Sequence, residues 1–177
     1  MTMTPRVRRL VLVAHVTTTV GWLGAVLAFL GLAIIGVTSE DTATVRGVYL
    51  VMAPAARYVL VPLAFASLLI GVAQSLGTTW GLVRHYWVLF KLLITAAATG
   101  ILLNYLATFD ALAAIAADQD TDLAAVRSAS PVLHAVLAAL VLLAATALAV
   151  YKPRGVTRYG QRRLRSVGDR PRRETPG

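Results

Sequence analysis

Two side chains in this sequence can do chemistry that their surroundings cannot. His15 stands in an apolar run from Val7 to Val37, and Lys91 stands in another from Arg84 to Phe109. An imidazole exchanges protons near neutral pH and ligates metals, while an ammonium holds an anion. Each lies about two helical turns beyond an arginine, Arg9 for the first and Arg84 for the second, so in a helical bundle both reach a similar depth. If the runs cross a bilayer, two ionisable groups sit in hydrocarbon, where such groups are rare and usually functional.

Each of the two has company at helical spacing. His15, Thr18 or Thr19, and Trp22 share one face of a helix, and Arg84, Trp87, Lys91, Thr95 and Thr99 draw a polar stripe along another. Two polar stripes should face each other inside a bundle, because lipid would leave their hydrogen-bonding groups without partners. Simpler roles compete with this. A threonine hydroxyl can bond a carbonyl one turn back, a tryptophan can anchor at an interface, and the Lys91 stem can reach the headgroups. All eight acids (Glu40, Asp41, Asp110, Asp118, Asp120, Asp122, Asp169 and Glu174) fall in expected loops or the tail. A charged Lys91 then finds its counter-charge on a lipid phosphate or an anionic ligand, and a proton carrier built on membrane carboxylates is disfavoured. Copper uptake ranks last among the functions considered, because there is no cysteine and Met52 is the one methionine outside the N-terminal lead. Arg57, Asn104, Tyr105 and His134 form a second polar layer towards the other face, although Arg57 and His134 are also within reach of an interface. His85, at the boundary of the third run, is either a further metal ligand near His15 or a solvated turn residue.

The elements that must position these residues are apolar. Of 177 residues, 58% are hydrophobic and 14% charged, well short of the ~25% charge of a soluble domain. The expectation is an all-α, multi-pass membrane protein of four transmembrane helices in an up-down bundle. Residues 1–9 form a basic lead, and 10–151 the membrane domain, with spans at about 10–37, 50–76, 85–109 and 131–151. The first run is too long for the ~7–15-residue core of a secretory signal. Pro54 and Pro62 predict a bent start to the second run around Tyr49 to Arg57, and Gly77 to Gly81 reads as an interfacial turn. The third helix should end at Asp110. Ser130 is placed to cap the fourth, with Pro131 in its first turn.

Residues 152–177 form a basic tail, expected to be disordered, with nine of the 17 Lys and Arg. Counted with the lead and Arg84, 13 bases fall on one side of the four spans and Arg46 and Arg127 on the other, which predicts cytoplasmic termini in the plasma membrane. The tail suits anionic lipid headgroups. Nucleic acid is disfavoured, since no aromatic platform beyond Tyr159 accompanies it. Alanine and glycine in three of the runs suit close packing of helices, within the bundle, in a homo-oligomer or against a larger membrane complex in which the chain is a non-enzymatic accessory subunit.

A histidine followed seven positions on by Trp-Leu-Gly (His15, Trp22-Leu23-Gly24), with a third-helix Lys91-Leu92-Leu93, resembles the superfamily that includes the CopD copper-resistance domain and the HemJ protoporphyrinogen oxidases. The whole chain to about Tyr151 is also similar to a family of four-helix integral membrane proteins in which His-Val-Thr-Thr, Gly-Trp-Leu-Gly, Arg-His-Tyr-Trp-Val and Tyr-Lys-Pro-Arg-Gly recur. That second likeness implies architecture and no activity. The first implies a haem b or porphyrin in the bundle, with His15 as iron ligand, Lys91 pairing a propionate, and a membrane redox or porphyrin-oxidising role. Trp22 and Trp87 would wall such a pocket.

Overall fold

The computed structural model describes residues 3–77, 82–153, 155–157 and 161. Helix α1 (Pro5–Thr38) begins with a proline in its first turn, where a missing N–H costs nothing. Its 34 residues extend ~51 Å, well beyond a ~30 Å hydrocarbon layer. Asp41 then caps α2 (Thr42–Ala55), its carboxylate accepting from the Thr44 N–H at 2.9 Å and the Thr44 hydroxyl at 2.6 Å.

The second run departs from the expected break. Its helix starts at Thr42 and continues to Leu76 through α2, a π turn at Ala56–Leu60 and α3 (Val61–Leu76). Pro54 and Pro62 each lack an N–H, and the wider turn between them absorbs the mismatch, with the Val61 N–H reaching back to the Ala56 carbonyl.

Helix α4 (Tyr86–Ala117) also runs past its expected end at Phe109, so Asp110 belongs to a helix and not to a loop. Two causes are visible. The Asp110 carboxylate is paired with the Arg57 guanidinium of the π turn at 2.8 Å, and the alanine-rich residues after it are strong helix formers. Arg46 then receives the exposed end of α4. Its guanidinium donates to the carbonyls of Ala116 at 3.0 Å and Thr121 at 2.7 Å, and to those of Asp118 and Gln119. Four carbonyls at and just past a helix end are thereby satisfied by one side chain.

A short α5 (Leu123–Val126) leads to α6 (Ser130–Tyr151). Ala129, not Ser130, occupies the N-cap. The Ser130 N–H is taken by the Ser128 hydroxyl at 3.2 Å, which frees the Ser130 hydroxyl for the Tyr105 phenol at 2.8 Å. Lys152 ends α6 in the left-handed conformation, φ 43°. The chain then folds back: Val156 bridges His85, and Thr157 bonds the Arg84 carbonyl through its N–H at 3.0 Å and the Val83 carbonyl through its hydroxyl at 2.7 Å. Residues 155–157 are thereby held against the start of α4. Most of the basic tail and residues 78–81 of the expected turn lie outside the described residues.

Contacts between ends set the topology. The Met3 N–H bonds the Gly77 carbonyl, so α1 is antiparallel to α3; Arg46 on the end of α4 makes α2 antiparallel to α4; Thr157 on Arg84 brings the end of α6 to the start of α4. Four long apolar segments close into a ring, with α1 and α4 each touching both the α2–α3 segment and α6. Large apolar side chains such as Leu10 (70% exposed) and Leu69 (63%) line its outside, as a lipid solvent requires. One half of the bundle, where 38–42 and 118–130 connect the helices, is the loop half. The other, holding Met3, Gly77 and Thr157, is the terminal half.

Candidate functional site

In the terminal half, α1 and α4 bring the two ionisable residues together. The Lys91 Nζ lies 3.0 Å from His15 Nε2. An ammonium can only donate, so the imidazole accepts at Nε2 and carries its proton on Nδ1. That Nδ1 is buried and makes no hydrogen bond of regular geometry, with the Ser67 backbone beside the ring. The dyad thus holds one committed imidazole nitrogen, one enclosed one, and an ammonium with donors to spare.

Helix α3 holds the ring in place. A Cβ on Gly71 would meet His15 Cε1 at 3.0 Å, so a larger residue here would push the ring back by a few tenths of an ångström. Thr19 donates its hydroxyl to the His15 carbonyl at 2.8 Å, which leaves Ser67 as donor across the 3.1 Å contact to Thr19. On α4 the stripe is self-satisfied: Thr95 donates to the Lys91 carbonyl at 2.7 Å and Thr99 to the Thr95 carbonyl at 2.9 Å. Threonine here follows its simpler role, hydroxyl on the preceding turn.

His15, Trp22, Trp87 and Lys91 share the wall of one cavity of about 500 Å³, with Ser67, Gly71 and Thr95. No Asp or Glu is among the residues lining it. Among the described residues the acids stand at the loop half, from Glu40 and Asp41 to Asp110 and beyond, so Lys91 faces histidine and cavity and not carboxylate.

The other three candidates lie elsewhere. His85 is the N-cap of α4, bridged to Val156, and does not line the cavity. Arg57 is paired with Asp110 on the exterior, both about half exposed. His134 stacks on Tyr105 with ring centres 3.9 Å apart and donates from Nδ1 to the Ser130 carbonyl at 2.9 Å. It faces a second cavity, of about 340 Å³, between α1, α4 and α6. The site residues that sequence reasoning missed are Ser67 and Gly71. Their signal is present: Ser67, Gly71 and Ser75 recur every four residues, a small-residue stripe on one face of α3.

An iron ligated by His15 does not fit this arrangement. Nε2 is directed at Lys91 and Nδ1 is sealed, so neither nitrogen is open to a metal unless Lys91 leaves. No three His, Cys, Asp or Glu side chains gather into a metal-holding group among the described residues. Comparison with protein-family models, curated proteins and solved structures returns no match.

Proposed function

We propose that the chain is a multi-pass plasma-membrane protein, termini in the cytoplasm, whose larger cavity binds an amphiphile with an anionic head. The observation that carries this is the Lys91–His15 contact at 3.0 Å on a cavity wall without an acid. Lys91 is half-buried, and an ammonium so far withdrawn from solvent favours an opposite charge beside it. His15 occupies one of its three donors and cannot neutralise it, so a carboxylate or phosphate completes the site. Trp22 and Trp87 present apolar faces to the rest of the ligand. Porphyrin carboxylates belong to this ligand class, bound through charge and stacking and not through iron. The orientation rests on the excess of Lys and Arg in the lead, the middle turn and the tail.

The test uses protein purified in a neutral detergent, titrated with protoporphyrin and with an alkyl phosphate while tryptophan fluorescence is followed. Both should bind, Lys91→Met should weaken each by about 10- to 100-fold, the ~1.5–3 kcal/mol of a hydrogen bond to a charged group, and Lys91→Arg should retain binding. An anionic amphiphile that binds no better than its uncharged counterpart would sink the proposal.

A further inference from the structure

The two cavities are not independent. Trp22 and Leu142 line both, so the wall between the dyad and the second cavity is a pair of side chains and not a helix. The cavities also differ in character. Around the dyad, His15, Ser67, Lys91 and Thr95 are polar, whereas beyond Trp22 the lining is Val26, Phe29, Ile101, Leu102, Ala98 and Ala138 and others as apolar. The second cavity is also drawn out lengthwise. It touches α4 from Ile94 to Phe109, about 22 Å at a rise of 1.5 Å per residue, within a volume of about 340 Å³. A space so elongated and so apolar suits a hydrocarbon chain. Towards its far end it is lined by Tyr105 and His134, whose Tyr105 hydroxyl and His134 Nδ1 are already bonded to Ser130.

We infer that the ligand of the dyad carries a single long hydrocarbon tail that passes Trp22 and lies in the second cavity. This rests on the anionic-head reading above and narrows its ligand to a chain-bearing lipid carboxylate or phosphate. The bundle then measures its ligand at two points, charge at Lys91 and chain length beyond Trp22. Ala98 on α4 and Ala138 on α6 line only the second cavity, so larger side chains there fill the tail space without touching the head site.

The experiment compares hexyl and dodecyl phosphate, each by calorimetry against the full chain in detergent, with Ala98→Phe and Ala138→Phe as fillers. Dodecyl phosphate should bind at least tenfold more tightly than hexyl phosphate. Each filler should bring the dodecyl affinity down to the hexyl value and leave hexyl binding unchanged, which also reports that the variant is folded. Fillers without effect on dodecyl phosphate overturn the inference. Hexyl binding with no gain from the longer chain overturns it alone and leaves the anionic head site standing. Loss of both ligands from the unaltered chain overturns the head site as well. Carboxylates of the same chain lengths separate the two head chemistries.

Discussion

The two halves of this bundle bury different things. In the loop half the interior is Phe29, Ala33, Val45, Tyr49, Met52, Ala56, Phe109 and Leu112, all under a tenth exposed, with Phe29 and Tyr105 edge-on to Phe109 at 5.7 and 4.9 Å. In the terminal half the polar residues His15, Ser67, Thr95 and Thr99 are buried alongside Ala64, Val88, Leu142 and Ala145, and the first three line a cavity. Lipid offers helices no hydrophobic incentive to associate, so packing contacts and hydrogen bonds must hold them. Around Ala33, Val45, Tyr49 and Ala56, at the loop end, the bundle takes the first course and is dense; the dyad region takes the second and keeps room, and the second cavity lies between them. The dense packing at the loop end and the polar head site are thus separated along the helix axes.

That separation is open to direct attack, beginning with the dense half. Tyr49 is 1% exposed, lies over Gly36, where a Cβ would meet its ring at 3.1 Å, and accepts from the Ser128 N–H through its hydroxyl. Tyr49→Ala removes a buried aromatic from a close-packed site, and the expected loss is about 3–5 kcal/mol by reversible unfolding in detergent. Val45→Ala in the loop half and Val88→Ala in the terminal half are the same truncation, and the second should cost about 1 kcal/mol less than the first, because Val88 already borders a cavity. Equal losses would erase the contrast.

In the other half the dyad should behave as a coupled polar pair. His15→Leu leaves the half-buried Lys91 ammonium without its partner and should cost about 1–3 kcal/mol, whereas the double change His15→Leu with Lys91→Met should be nearly neutral, both partners having become apolar. A double-mutant cycle in the same unfolding measurement reads the difference. Additive losses would mean that the 3.0 Å contact carries no coupling.

Much of this contrast is legible in the sequence, and what escapes it has physical reasons. The four apolar segments follow from composition, and the facing of His15 and Lys91 from helical spacing and matched depth. The helix ends do not follow, because they depend on partners distant in the chain. Asp110 looks like a stop signal until Arg57 reaches it, and Ala117 is an end only because Arg46, far back on α2, collects the carbonyls there. Two prolines predict a break, since a π turn that accommodates both leaves no mark of its own in composition. Gly71 is a small residue among many until the His15 ring is seen against it.

Arg46 offers the next smaller effect, again on the dense half. Its bonds to Ala116, Asp118, Gln119 and Thr121 tie the end of α4 to the start of α2. Arg46→Ala should cost about 1–2 kcal/mol, with Arg46→Lys recovering part of it, because an ammonium cannot span four carbonyls as a planar fork does. Ligand binding in the terminal half should be unchanged. A binding defect in Arg46→Ala would show that the halves are energetically joined.

The smallest expected effect lies at the same corner and depends on pH. Asp118 accepts from the Thr121 hydroxyl at 2.7 Å and the Asp120 N–H at 3.1 Å, and these bonds, with the Arg46 guanidinium nearby, hold its carboxyl below the usual aspartate value. A folded value below the unfolded one means that the ionised form is favoured by folding. The stabilisation is therefore full above the unfolded value of about 4 and is lost as pH falls through the depressed folded value. Unfolding midpoints of the unaltered chain and of Asp118→Asn should differ slightly at neutral pH and converge in acid, since protonation makes the two side chains nearly equivalent. Asp118 is fully exposed, so the difference should be a small fraction of that for Arg46→Ala. A gap between them that persists or widens below pH about 3 would place the acid sensitivity of the loop half on a group other than this carboxylate.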